Sequence, residues 1–355
     1  VTDAGTDKII SHEELQDNYA LTLHGGEEAT YFGWDITNVG DVNGDKLNDI
    51  AISQPFYSFS AEAPTPDGRI FIVLGGGNFK KPPTQEEKSV SILDMDTEDR
   101  ILISNKANPG VHFGREILGL GNFDNDSDEL GDILLHNVAN RSWVVILGSK
   151  NRPANNDLAD IMGTHGFRIS SEYFMAVTVG NFLADESENN PLTPDIAFKP
   201  KTKGQMFMLK GGVGNWPAEI TYDNFSESLG VKAIYDPLVE MGYSMATLPD
   251  TDNDGFDELI MTSTDIMNNQ SLQIFSGQHD WANDDFTALT TNANIKNIND
   301  VNSEFSGLTT AAVIGDLNKD DFSEIVIDDL SATTINGSYS GQFFVVNGFD
   351  GVYEE

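Results

Sequence analysis

The sequence predicts an all-β chain, a β-propeller of about five four-stranded blades closed by an N-terminal strand. Three observations carry that reading. A Phe/Met-Gly pair, an Asp/Asn-rich loop and Gly-bounded apolar runs recur in one order along 355 residues. The apolar runs are short, β-branched or aromatic, and bounded by Gly, Asn and Asp, as strands are. No long stretch has helical periodicity, and only Ser11–Gln16 reads as a short helical turn. Self-similarity of this kind means one small sheet per repeat.

The first repeat opens at Phe32-Gly33, passes through the loop Asp41–Asp49 and the run Ile50-Ala51-Ile52, and ends with Gly68–Gly75. The second runs from Phe113-Gly114 through Asp132–Leu135 to Trp143–Gly148. The third has Phe174, Asp195–Phe198 and Gly204–Leu209; the fourth has Met241-Gly242, Glu258–Met261 and Leu272–Phe275. The fifth has Gly307, Glu324–Ile327 and Gln342–Val346. The spacing is roughly 60–80 residues, longer than the ~40–50 of familiar blades. One domain over residues 1–355 is expected, with repeats near 25–105, 106–170, 171–235, 236–299 and 300–355 plus 1–24. A seven-bladed ring, or part of a larger propeller, is the alternative. A fourth strand precedes each opening pair, at Ala20–Leu23, Ile101–Ile103, Phe167–Ile169, Lys232–Ile234 and Ile295–Ile298. No partner strand follows Val346, so the N-terminal strand is expected to complete the fifth blade and remove an exposed edge.

Composition narrows the function. The formal charge is −37, from 57 acidic and 20 basic residues, so nucleic acid and anionic membrane surfaces are repelled. The acids lie between patterned apolar strands rather than in one block, unlike a disordered acidic tail. There is no cysteine, which excludes disulfides, thiolate metal sites and cysteine nucleophiles. No stretch approaches the ~18 apolar residues of a membrane span. The chain starts at Val1 with no visible signal peptide and reads as a processed or excised piece. An extracellular or cell-surface location is expected.

Three loops share one oxygen pattern. Asp41-x-Asn43-x-Asp45-x-Leu47-x-Asp49, Asp250-x-Asp252-x-Asp254-x-Phe256-x-Glu258 and Asp316-x-Asn318-x-Asp320-x-Phe322-x-Glu324 place oxygen side chains at positions one, three, five and nine. With the carbonyl at position seven (Leu47, Phe256, Phe322) and a water, such a loop meets the roughly 6–8 oxygen ligands that Ca²⁺ demands. Zinc and copper would want His or Cys instead. Asp, Asn and Gly also make ordinary turns, but three loops in one phase of a repeat point to metal. Loop two is read as Asn122, Asp124, Asp126 and Asp132, or one step on as Asp124, Asp126, Asp128 and Asp132. Loop three, with only Asn181, Asp185 and Asp195, is expected to be empty. Three or four calcium ions follow.

These residues resemble FG-GAP repeats, the units of integrin α-subunit propellers and of bacterial surface proteins. The resemblance rests on Phe32-Gly33, the Asp loops, Gln54-Pro55 and Gly68–Gly75, and covers nearly the whole chain. It implies that the position-one, -three, -five and -nine side chains ligate calcium on one face and that partners meet the opposite face. Three departures stand out. Integrin propellers have seven repeats and five are found here; position six, often Gly, is Lys46 or Asp321; and cysteine is missing. Bacterial repeat proteins are the closer match.

The function expected from this is adhesion or ligand binding, with a protein or carbohydrate partner on the face opposite the calcium loops. The loop Gln54–Asp67 carries Phe56, Tyr57 and Phe59, which suit sugar rings or a protein surface and equally suit self-packing. The alternative is a polysaccharide lyase or hydrolase. Its candidate bases are His12, His24, His112, His136, His165 and His279, none of them in a catalytic motif.

Overall fold

The computed structural model describes residues 22–58, 67–76, 89–106, 112–138, 142–170, 174–183, 193–200, 205–221, 223–234, 240–250, 254–264, 270–275, 277, 295–299, 311–320, 322–329 and 342–346. In the first repeat the strands are β1 (Thr22–His24), β2 (Ile36–Gly40), β3 (Asp49–Gln54), β4 (Arg69–Val73), β5 (Ser89–Ser91) and β6 (Arg100–Ser104). The second has β7 (Phe113–Gly121), β8 (Asp132–Asn137), β9 (Ser142–Ile146), β10 (Asn155–Asp157), a short helix α1 (Leu158–Ile161) and β11 (Gly166–Ser170). The third has β12 (Phe174–Gly180), β13 (Asp195–Pro200), β14 (Gln205–Leu209), β15 (Glu219–Thr221) and β16 (Gly230–Ile234). The fourth has β17 (Glu240–Leu248), β18 (Glu258–Thr264), β19 (Gln270–Phe275) and β20 (Ile295–Asn299). The fifth has β21 (Ala311–Val313), β22 (Ile325–Asp329) and β23 (Gln342–Val346).

The central strands of the repeats pair antiparallel, whereas β10 joins β6 and β15 joins β11 in parallel, and the chain is all-β, built from successive blade-like sheets. The sheet orders are β10-β6-β4-β3-β2, β15-β11-β9-β8-β7, β12-β13-β14-β16, β17-β18-β19-β20 and β21-β22-β23. The strand before each opening pair is the fourth strand of the preceding blade, as β6 pairs with β4 and β16 with β14, and in the first two sheets β10 and β15 add a fifth outside it. Burial explains the sequence texture. β4 and β9 are buried at every position and, after a polar first residue (Arg69, Ser142), read as apolar runs, whereas β2 alternates.

The N-terminal strand departs from expectation. Its described part, Thr22–His24, pairs in parallel with Ser89–Ser91 and not with the fifth blade. Leu23 has a local apolar partner set that accounts for this, packing on the cluster of Ile52, Phe71, Val73, Ile92 and Met95. Among the described residues the fifth sheet has three strands. The expected turn at Ser11–Gln16 lies outside the described residues. The helix that does form, α1, is too short to leave a periodic signal. It starts where Asp157 Oδ1 accepts the Ala159 N–H at 3.1 Å, a side-chain N-cap.

Contacts group the chain into two compact units. One comprises Val1–Gly119, Leu130–Asn140 and Val144–Gly166, the other Leu120–Glu129, Arg141–Trp143 and Phe167–Glu355. The first unit is cored by Ile70, Ile72, Ile103, Phe113, Ile133 and Leu135, with Leu158 and Ile161 of α1. The second has one cluster around Phe182, Met206, Met208, Leu259 and Phe275, and another around Leu248, Ile260, Ile274, Ile325 and Ile327.

Candidate metal centre

Loop one joins β2 to β3 and is organised by its first residue. Asp41 Oδ1 accepts the backbone N–H groups of Asn43, Gly44 and Asp45 at 3.3, 2.6 and 3.1 Å, and Oδ2 accepts that of Lys46 at 2.7 Å. Asn43 Oδ1 takes the Asp45 N–H and Asp45 Oδ1 the Leu47 N–H, both at 2.9 Å. Successive side-chain turns of this kind are what Asp and Asn do locally. They tie the loop backbone to the side chains of positions one, three and five. The chain turns this tightly by passing through the left-handed region at Gly44, φ 84°, and Lys46, φ 70°.

Loop five repeats the scheme and brings its acids together. Asp316, Asp320 and Glu324 each place one carboxylate oxygen within 4.8 Å of the others. Asp316 Oδ1 accepts from Lys319 N at 2.6 Å, and Asp320 Oδ1 from Phe322 N at 3.0 Å. The Asn318 amide nitrogen donates to Asp320 Oδ2 at 2.8 Å and to Glu324 Oε1 at 3.0 Å. A partial positive charge thus stands between two carboxylates, where a cation would relieve the same repulsion. In loop four Asp250 Oδ2 accepts from Gly255 N at 3.0 Å and Asp254 Oδ1 from Phe256 N at 2.8 Å. Asp252 lies outside the described residues, as does Asp321 of loop five.

In loop two, Asn122, Asp124 and Asp126 lie in one compact unit. Asn122 Oδ1 is buried and receives no hydrogen bond from the described residues, while its amide nitrogen donates to Asp126 O at 3.2 Å. A buried acceptor without a donor suits a cation ligand. Burial, and next the charge of Asp126, push the Asp124 carboxyl above its ordinary range. Asp132 belongs to the other compact unit, where its Oδ1 accepts the Gly148 N–H at 2.7 Å.

The position-nine acid has a structural task in addition to any metal. Asp49, Asp132, Asp195, Glu258 and Glu324 are all at most 3% exposed. Asp49 Oδ2 holds Val42 N at 2.9 Å and Oδ1 holds Gly75 N at 2.7 Å. Burial lifts its pKa from 3.8 to about 6, with those two N–H groups opposing the shift and Asp45 and Asp41 adding to it. Asp195 does the same in loop three, holding Phe182 N, Leu183 N and Gly211 N at 2.9, 2.7 and 3.0 Å. Asp185, the middle acid expected there, lies outside the described residues.

Two features were given no role by the sequence reading, although it noted Gly75 and Gly148 as strand-bounding glycines. Gly75, Gly148, Gly211 and Gly277 stand two residues beyond the third strand of their repeats, and a Cβ on any of them would come within 2.1–2.7 Å of loop atoms. Their recurrence in register was the available signal. The second is a link between neighbouring loops. Gly131 N donates to Asp41 O at 2.7 Å, and Asp257 N donates to Asn181 O at 2.8 Å. In both, position eight of one repeat reaches position one of the repeat before it.

No family model matches the sequence. Among curated proteins, integrin alpha-E of Mus musculus is 29% identical over 134 residues. That match covers 37% of this chain and 10% of the integrin, so the chain spans about a tenth of its relative's length. Among solved structures, AofleA from Arthrobotrys oligospora aligns with 85% of this chain and 66% of that chain, at 9% identity and a TM-score of 0.34.

Proposed function

We propose that the chain is a calcium-binding propeller that acts outside the cell in adhesion or ligand recognition, with a protein or carbohydrate partner on the blade ends opposite the metal loops. The observation that carries this reading is the cluster Asp316, Asp320 and Glu324, whose carboxylate oxygens lie within 4.8 Å of one another. Three acids at that separation repel strongly unless a cation intervenes. Loops one and four repeat the register, and the integrin match is in keeping with it. Asp41, Asn43, Asp45 and Asp49 with the Leu47 carbonyl would hold one ion. Asp250, Asp252, Asp254 and Glu258 with the Phe256 carbonyl would hold a second. Asp316, Asn318, Asp320 and Glu324 with the Phe322 carbonyl would hold a third, and Asn122, Asp124 and Asp126 are donors for a fourth. The ions' contribution is structural: they fix the loops and offset the acidity.

The test is calorimetric titration with CaCl₂ after removal of metal by a chelator, with elemental analysis of the dialysed protein. At least three sites are expected, and Asp320→Ala and Asp254→Ala should each remove one. A protein that takes up no calcium ends this reading.

A further inference from the structure

Tyr31, Trp34, Phe56 and His112 form one cluster of rings. Phe56 is at its centre, with centroids 5.0 Å from Tyr31, 5.2 Å from Trp34 and 5.1 Å from His112. Tyr31 and Trp34 stand 6.1 Å apart with their planes at 83°. All four residues sit at the same end of the strands. Tyr31 and Trp34 precede β2, Phe56 follows β3, and His112 directly precedes β7. The Asp41–Asp49 loop closes the other end of the β2–β3 hairpin.

Rings of this size are usually buried, yet Tyr31 is 60% exposed and Trp34 46%. They are held in place rather than loose. Trp34 N donates to Tyr31 O at 3.1 Å, and Gly33 N donates to Ser53 O at 2.9 Å. Tyr31 and His112 take φ of 53° and 47°, a region that non-glycine residues seldom enter. Two of the seven non-glycine residues with positive φ among the described residues thus fall in this one cluster, where the surrounding fold must maintain them.

We infer that this cluster is a carbohydrate subsite that receives the apolar face of a neutral hexopyranose ring. The inference rests on the ligand-binding reading above and names the ligand class and its place. Two perpendicular exposed rings make a floor and a wall that fit one six-membered sugar ring. The sugar's C–H groups carry a slight positive charge and are attracted to the negative face of a π-system. The surface that the two residues expose is roughly 160–265 Å², taking ~150–250 Å² for each whole residue. That is well below the ~800 Å² per partner of a stable protein interface. The rim carries both charges. The Arg115 guanidinium lies 5.7 Å from the Trp34 ring centre, and Glu116 follows it on β7. A guanidinium and a carboxylate donate to and accept from hydroxyls. Arg115 also occupies the cation–π position that a basic peptide would seek on Trp34.

The experiment is saturation-transfer NMR on the calcium-loaded full chain, with methyl glycosides of neutral hexopyranoses as probes and an arginine-rich peptide as a competitor class. Transfer to at least one glycoside is expected, and Trp34→Ala should weaken it about tenfold. Trp34→Phe, which keeps a ring, should retain most of the binding and guards against misfolding of the alanine variant. The inference is overturned if no glycoside binds at millimolar concentration, if Trp34→Ala binds as wild type does, or if only the peptide binds at this cluster. Calcium titration of the same sample reports separately on the metal reading, so either can fail alone.

Discussion

The Asp49 carboxylate joins the two ends of a blade's inner hairpin by accepting the Gly75 N–H at 2.7 Å with one oxygen while the other accepts Val42 N. Asp195 makes the same connection to Gly211 in the repeat whose loop lacks the regular run of ligands. The rivet is therefore separable from metal binding. Asp195→Ala leaves three buried N–H groups without their acceptor and should cost ~2–4 kcal/mol. The cost should be equal in calcium and in chelator, as read from urea melts. Asp320→Ala should instead destabilise mainly in calcium. A calcium-dependent effect at Asp195 would place a metal in loop three.

Gly75 lets the rivet close. An added Cβ would lie 2.6 Å from Asn48 O and 2.7 Å from Leu47 Cβ, too near for either to yield cheaply. Gly75→Ala is expected to lose about 1–3 kcal/mol. Unchanged urea midpoints would mean that the loop backs away at no cost.

Lys46 carries a φ of 70° where loop four has Gly255 at 94°. A non-glycine residue in that region costs ~1–2 kcal/mol, partly offset by the greater freedom of glycine in the unfolded chain. Lys46→Gly should therefore stabilise the protein by roughly 0.5–1 kcal/mol. The gain should be larger in calcium, because a cation next to the ion is removed as well. Gly255→Lys should do the reverse. Thermal melts of both variants with and without calcium give the answer, and a lower midpoint for Lys46→Gly in calcium would contradict it.

Much of this was legible in the sequence because the repeat imposes one pattern several times. The blades could be read from short apolar runs such as Ile70–Val73, which are buried at every position because neighbours cover both faces. The candidate metal loops stood out because position and residue type mark an oxygen donor, and in loop five the fold brings Asp316, Asp320 and Glu324 together. What resisted was set by distant contacts. Thr22–His24 went to Ser89–Ser91 because Leu23 found an apolar bed there, a preference no local pattern encodes. The hydrogen-bonding role of Asp49 was hidden, since burial and a partner 26 residues away distinguish a rivet from a candidate ligand of identical chemistry. The clustering of His112 with Phe56 depends on the approach of β7 to the first blade, across a separation over which sequence carries no register.

His136 supplies a pH dependence. Burial, and then the charge of Arg115, lower its pKa from 6.5 to about 4. At neutral pH it is therefore uncharged, and its 3.9 Å approach to Glu116 is not an ion pair. Between those two values the unfolded chain binds a proton that the folded chain refuses, so stability falls as pH drops from 6.5 towards 4 and is unaffected above that window. With a quarter of the ring exposed the loss is ~1–2 kcal/mol. Burial raises the Glu116 carboxyl, as does Asp35, and this works in the opposite sense over the acid range. The difference between wild type and His136→Gln isolates the histidine. Parallel pH profiles for the two would show that His136 titrates normally.

The remaining acidity should act on stability through salt. Four calcium ions would contribute +8, and −37 + 8 = −29, so metal ligation offsets only a minority of the charge. The rest repels itself when screening is weak. The screening length is about 30 Å at ~0.01 M ionic strength and roughly 4 Å near 0.5 M. At low salt, acids on different blades therefore feel one another; at high salt only close neighbours do. The melting midpoint is expected to rise with NaCl from about 10 to about 500 mM even when calcium is saturating. Calcium should add a separate increment by binding the folded chain alone. Sodium acts by screening and calcium by occupying sites, so the two increments should add rather than substitute. Melts across the salt series in saturating calcium decide the matter. A flat or falling midpoint would mean that each surface acid is compensated by its immediate neighbours and that net charge is no measure of the strain in this fold.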